Sequence, residues 1–415
     1  MSAPLPGPLR PPQWRAAAGV LQQVLNEARA ADLCLQQHFA QHRQMGSRDR
    51  RLVSTLVYGV LRDAMRLRAI AGEAASGEAW LALHLLAAGQ ADTATLAALG
   101  CAEAARWQQR LQDFDEAGLS EAARANVPEP VWALWCEQYG RTQTRALAAA
   151  LNQEAPVDLR VNTLKASRAQ VLAALQAAGI EAQAGALSED CVRLPRRVAL
   201  QTLDCYRQGW VEPQDQGSQL LARHLGAQPG ERIADYCAGA GGKTLAIGAA
   251  MAGRGELWAL DVDAARLRRL PPRAERAALA GLQLRQLPDA EWLLAQAGSF
   301  DAVLVDAPCS GSGTWRRNPE LRLRALDLPA LAARQLAILC DAATLLRSGG
   351  RLVYATCSLL AAENEAVIQA FCAGHPDFMP DPDVPDASPA QRNPLRLLPQ
   401  LHGCDGFFAM RLRRR

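Results

Sequence analysis

The stretch RIADYCAGAGGKT, residues 232–244, decides the fold. A short apolar run leads into glycines, and a helix-forming segment, TLAIGAA, follows directly. Glycines at such a junction let backbone N–H groups come close to a ligand at the start of a helix. Spacing separates the possible ligands. A phosphate loop needs a glycine five positions before Gly242, and Cys237 stands there. A dinucleotide fingerprint begins at Gly239 and Gly241, but its third position is Thr244. The next apolar run, GELWALDVD (255–263), ends in acids. Asp261, roughly 20 residues after the loop, is placed to bond a ribose hydroxyl. The ligand expected is a nucleoside with no pyrophosphate to cradle, and S-adenosyl-L-methionine fits. An ordinary helix-start turn is the alternative for the loop taken alone.

Outward from this point, FDAVLVDAP (300–308) and GRLVYATCS (350–358) repeat the strand pattern, and LPALAARQLAILCDAATLL (328–346) is a helix between them. Alternating strands and helices predict an α/β domain with a parallel sheet over residues 213–415. Residues 126–212 mix types. VDLRVNTL (157–164) reads as a strand with Val157, Leu159 and Val161 on one face. SRAQVLAALQAAGI (167–180) reads as a helix capped by Ser167 and ended by Gly179, and CVRLP (191–195) as a short strand. A small α+β module follows from this. Residues 1–125 show only helical periodicity, with Trp14, Ala17, Ala18, Leu21, Val24, Leu25 and Ala28, then Leu52, Leu56, Val57, Val60 and Leu61. NVPEPVW (126–132) is a boundary, and PDPDVPDASPAQRNP (380–394) a proline-rich loop. Pro271 and Pro272 interrupt the helix expected after Asp261.

The chain has 415 residues, 49% of them hydrophobic, yet no apolar run reaches membrane-spanning length and the N-terminus lacks a secretory apolar core. A cytoplasmic location without membrane partners is the expectation. The 11 cysteines are scattered, without a C-x-x-C pair or the spacing of a disulfide framework. Net charge is only +3, which does not announce a nucleic-acid binder. Among 45 basic residues only Lys165 and Lys243 are lysine, and Lys243 lies inside the glycine loop.

Two cysteines follow two of the strands. DAPCSGSGTWRRNPE (306–320) places Asp306 and Cys309 there, and YATCS (354–358) places Cys357. Ligands of open α/β sheets bind at the carboxyl ends of strands, so both thiols are expected beside the loop. Carbon 5 of cytosine is a poor nucleophile. A thiolate adding to carbon 6 pushes electrons to carbon 5, which then takes a methyl group from a sulfonium. An acid near ring nitrogen 3, a role suited to Asp306, would offset charge in the ring. One thiol would attack and the other assist release. The rivals are two buried thiols of no chemical role, and a zinc site, for which near-sequence partners at ligand spacing are lacking. No metal is expected.

These motifs resemble the RNA 5-methylcytosine methyltransferases, the family of bacterial RsmB and the eukaryotic Nop and Sun-domain proteins. DAPCSGSGTWRRNPE and YATCSLLAAENE carry the likeness, with RVNTLK (160–165), PQDQGSQL (213–220), the helix around Gln335 and DGFFAMRL (405–412) in order. The resemblance implies a Rossmann-like methyltransferase domain behind the α+β module. It implies a cofactor loop of Cys237, Ala238, Gly239, Ala240, Gly241, Gly242 and Lys243, Asp261 on the ribose, and Asp289 near the adenine. It implies Asp306 between cofactor and cytosine, Cys357 as nucleophile, Cys309 in product release, and RNA contacts at Arg316 and Arg317. SRDRRLVSTLVYGVLRDAMRL (47–67) resembles a NusB-like RNA-binding domain, which the stretch 75–125 continues poorly; this likeness implies ribosomal RNA of the small subunit. Where the family commonly has A-P-G-G, this chain has GAGG. A DNA cytosine methyltransferase relying on the P-C cysteine, and an RNA-binding assembly factor without catalysis, remain the alternatives. Oligomeric state is not legible.

Overall fold

The computed structural model describes residues 7–27, 29–72, 76–383 and 393–415, and its chain divides into two compact units. One contains residues up to Gln153 together with Thr314–Leu326, and the other Glu154–Gly313 with Asp327–Arg415.

The first unit is helical. Its opening helix, Pro11–Glu27, buries Trp14, Ala17, Val20, Leu21 and Val24, a stripe recurring every three to four residues. The helix Ser47–Leu61 buries Leu52, Val53, Leu56, Val57, Val60 and Leu61. Helices continue from Gly77 to Arg124, and Trp80, Leu83, Leu96 and Trp107 join the same core. Helical structure also passes residue 125, in Glu129–Tyr139 and Arg141–Leu151. Trp315 packs against Trp135 with ring centroids 5.2 Å apart. The buried Arg322 donates to the carbonyl of Asn126 at 3.0 Å and to Asn152 Oδ1 at 2.9 Å. The segment after Cys309 thus supplies part of this core.

The second unit begins with an antiparallel sheet of β1 (Val157–Val161), β2 (Gln183–Ala184), β3 (Cys191–Leu194) and β4 (Val211–Pro213), ordered β2-β3-β1-β4. The helix Arg168–Ala177 starts at a capping box in which Ser167 and Gln170 satisfy each other's backbone N–H. Val171 and Leu175 of that helix lie in one core with Leu159, Val161 and Val192.

The large sheet follows. Its strands are β5 (Arg232–Asp235), β6 (Glu256–Asp261), β7 (Leu282–Gln286), β8 (Phe300–Asp306), β9 (Leu346–Thr356), β10 (Phe378–Pro380), β11 (Leu395–Leu397) and β12 (Phe407–Arg414). The order is β10-β12-β9-β8-β5-β6-β7, with β11 on β12. From β7 to β9 all pairs are parallel, and β12 returns antiparallel to β9. Apolar clusters cover the two faces, one with Ile233, Leu257 and Leu304, the other with Leu260, Val303 and Tyr354. The fold is therefore the α/β class expected. Pro271 splits the segment after β6 into two short helices, Ala264–Leu267 and Pro271–Arg276. Most of the proline-rich loop at 380–394 lies outside the described residues.

The order of this sheet positions the site. The chain runs β5, β6, β7 to one side and then crosses to β8 on the other side of β5. Loops diverge there, and a ligand is expected at the carboxyl ends of β5 and β8.

Candidate active site

Gly239 and Gly241 take positive φ, 57° and 85°, which a side chain would resist. A Cβ at Gly242 would meet nothing within 4 Å, so the helix Gly242–Ala250 opens toward free space. Asp261, at the end of β6, accepts the Gly239 N–H at 2.7 Å through Oδ2 and the Asp263 N–H at 2.8 Å through Oδ1. Each oxygen keeps a lone pair for a ribose hydroxyl. Arg273 holds the loop from behind through the carbonyl of Ala240. Cys237 offers its backbone only, because its thiol packs among the apolar residues of the sheet face and burial pushes it far up. Asp289 caps the helix Ala290–Ala295 by accepting the Trp292 N–H at 3.0 Å, and it pairs with Arg285. These groups suit a nucleoside: open backbone donors, an anchored acid at the second strand, and a further acid after the third.

Asp235 at the end of β5 was not anticipated. It is fully buried and accepts the Thr244 hydroxyl at 2.7 Å. Burial, partly offset by that bond, pushes its carboxyl up to about 7. The folded chain therefore holds a proton on Asp235 at pH values where an unfolded aspartate has lost it. Its contribution to stability is lost as pH rises from the ordinary aspartate range through about 7. Asp235→Asn is expected to melt progressively higher than the parent protein as pH goes from about 5 to about 8. Calorimetric melting checks this, and a difference independent of pH would mean that Asp235 does not titrate there.

At the next strand pair, Asp306 of β8 lies in register with Ala355 of β9. Cys309 and Cys357 leave neighbouring strands, and their sulfurs are 3.4 Å apart. The hydrogen bond with Cys357 and burial raise the Cys309 thiol well above its ordinary range. Lys243 Nζ sits 2.6 Å from Asp306 Oδ2. Burial works against the charge on Lys243, but the adjoining Asp306 outweighs it and raises the ammonium pKa. The lysine singled out by its rarity thus joins the glycine loop to the end of β8.

Sequence and structure part at Arg316. It is only 7% exposed and lies, like Arg317, in the segment that belongs to the helical unit. A guanidinium so covered is not open to phosphate in this conformation, whereas Arg317 is half-buried. Two further residues were given no role by the sequence reading. Glu363 and Gln335 are both fully buried and touch the loops that carry the thiols. Their signal was present only as the ENE after YATCS and the glutamine of the preceding helix.

A parallel sheet with a glycine loop at its crossover, an acid at the second strand and two thiols at the neighbouring strand ends is an arrangement that suits an α/β methyltransferase domain. Residues 222–413 match the profile of the 16S rRNA methyltransferase RsmB/F family, and residues 128–201 match its ferredoxin-like domain. A Vibrio cholerae ribosomal RNA small subunit methyltransferase B is 31% identical over 95% of this chain and 95% of that protein. A Bacillus subtilis protein described as a probable enzyme of the same name is 35% identical, over 71% of this chain and 68% of its own length. The chain belongs to the RsmB/F family of methyltransferases. Among solved structures, PH0851 superposes with a TM-score of 0.82 at 23% identity, covering 98% of this chain and 99% of that one, a likeness of fold. A methyltransferase homolog from Pyrococcus horikoshii gives 0.63 at 28% identity, over 73% of this chain and all of its own.

Proposed function

We propose that this chain methylates carbon 5 of a cytosine in small-subunit ribosomal RNA through a covalent bond to Cys357. The reading rests chiefly on the 3.4 Å thiol pair at two adjacent strand ends, beside the Lys243–Asp306 pair. S-adenosyl-L-methionine, when bound, supplies an electrophilic methyl group. The loop Cys237–Lys243 would hold it through backbone N–H groups, with Asp261 on the ribose and Asp289 toward the adenine.

Cys357 bonds to carbon 6, and the electrons of the 5,6 double bond move to carbon 5, which takes the methyl group. Loss of the carbon 5 proton to a base re-forms the double bond and expels the Cys357 thiolate. The S–H of Cys309 is placed to hydrogen-bond that departing sulfur. The Lys243–Asp306 pair is placed to offset charge arising at nitrogen 3. Arg317 is retained as an RNA contact. A ribosomal RNA substrate implies a cytoplasmic site of action; among the described residues no helix is long and apolar enough to cross a membrane.

The test is methyl transfer by the purified protein to small-subunit RNA and to DNA, with digestion of the product to nucleosides. 5-Methylcytidine from RNA alone is expected. Label in DNA, or in another position of the RNA, overturns the assignment. Asp261→Ala is expected to weaken cofactor binding by roughly 1.5–3 kcal/mol, about 10- to 150-fold, because a charged acceptor is lost. Calorimetric titration with unchanged affinity would remove Asp261 from the site.

A further inference from the structure

Two thiols in separate loops need something to fix the gap between them. The residue that follows each one points to the same partner. Ser310 follows Cys309 and Ser358 follows Cys357, and both bond to the carboxylate of Glu363. Oε1 of Glu363 accepts the Ser310 N–H at 2.8 Å and Nε2 of Gln335 at 3.0 Å. Oε2 accepts the hydroxyls of Ser310 and Ser358, each at 2.5 Å. The two serine hydroxyls also accept backbone N–H groups, from Ser312 at 3.4 Å and Leu360 at 3.1 Å, so their own protons are free to point at Glu363. Gln335 Nε2 donates as well to the carbonyl of Pro308, the residue before Cys309. Burying a carboxylate costs several kcal/mol unless its lone pairs are filled, and here four donors from three separate segments fill them.

The two loops depend on this carboxylate unequally. The Cys357 side has other anchors. Thr356 Oγ1 bonds Asn364 at 2.5 Å, and Asn364 Nδ2 bonds the Ser358 carbonyl at 3.0 Å. On the Cys309 side, both the N–H and the hydroxyl of Ser310 converge on Glu363, and Gln335 links Pro308 to it. Losing Glu363 therefore frees Cys309 more than Cys357. Its charge also adds, after the Cys357 bond and burial, to what keeps the Cys309 thiol protonated.

We propose that Glu363 is a positioning residue for the release step: it sets Cys309 against Cys357 so that the sulfur leaving carbon 6 finds a donor. The proposal rests on the covalent mechanism given above. It concerns breakdown of the adduct, not its formation.

The experiment compares the full-length parent protein with Glu363→Gln on two RNAs. Cytidine RNA reports the whole cycle. RNA carrying 5-fluorocytidine at the target has no carbon 5 proton to lose and reports attack and methyl transfer alone. Glu363→Gln is expected to turn over cytidine RNA roughly 10- to 100-fold more slowly. Its KM for RNA should hold, and denaturation-resistant protein–RNA species should accumulate during turnover. Its rate of adduct formation on fluorinated RNA should stay within about threefold of the parent. A parallel fall of both rates, with no extra adduct on cytidine RNA, would make Glu363 merely structural and overturn the proposal. If Glu363→Gln does not melt cooperatively, Ser310→Ala removes one strand of the same tether, with the same expected split and the same overturning result. If the parent protein itself forms no adduct on fluorinated RNA, the covalent mechanism fails, an outcome distinct from failure of the Glu363 assignment.

Discussion

Cys357→Ala is expected to abolish methyl transfer, by at least roughly 10⁴-fold, and to form no covalent bond with RNA. Without the thiolate, carbon 5 gains no electrons, and the neighbouring Cys309 thiol, held well above its ordinary range, is a poor substitute. Cys309→Ala is expected to behave differently. Attack and methyl transfer proceed, but the departing sulfur loses the partner 3.4 Å away, so a protein–RNA species persists through denaturing electrophoresis. The double variant shows no adduct, because attack precedes release. An adduct in Cys357→Ala alone would make Cys309 the nucleophile and give the chemistry the order expected of a DNA enzyme. Retained activity without adduct in both single variants would end the covalent mechanism.

Asp306→Ala should cost roughly 10²–10³-fold in kcat, the scale of losing one oriented group that answers charge in the transition state. It also strands the Lys243 ammonium, whose side chain is 12% exposed, without the carboxylate 2.6 Å away. A lower melting temperature should accompany the kinetic loss, because an uncompensated charge in such a place is destabilising. The two effects separate in Lys243→Met/Asp306→Ala. Removing both charges should restore most of the melting temperature but none of the kcat. Recovery of kcat along with stability would show that Asp306 acts only by holding Lys243.

The strands at the centre of the large sheet were legible because they are apolar runs ended by glycine or acid, and burial on both faces imposes that composition. β7 was not, since LQLRQ is an exposed edge with no apolar run to announce it. β10 and β11, three residues each, are defined by their pairing with β12 and carry no pattern of their own. The glycine loop, Asp261, Asp306 and both thiols were legible because strand ends converge by topology. Glu363 was hidden because its meaning lies in four donors brought together from separate segments. Arg316 misled for a related reason: an arginine in a polar loop reads as solvated, and nothing local shows that the loop enters a helical core. Arg322 in the same segment shows what such entry requires. Burial and the nearby Arg62 depress it to about 9, and Asn126 and Asn152 receive its donors.

That entry also orders events during synthesis. The helical unit is made in two instalments, one ending at Gln153 and the other beginning at Thr314, with Glu154–Gly313 between them. A ribosome adding about 5–20 residues per second needs roughly 8–32 s to cross that interval. Throughout it Trp135 lacks Trp315, and Asn126 and Asn152 lack Arg322. The front of the nascent chain thus emerges first but is finished late, and a gene fragment encoding it alone would carry the same gap permanently.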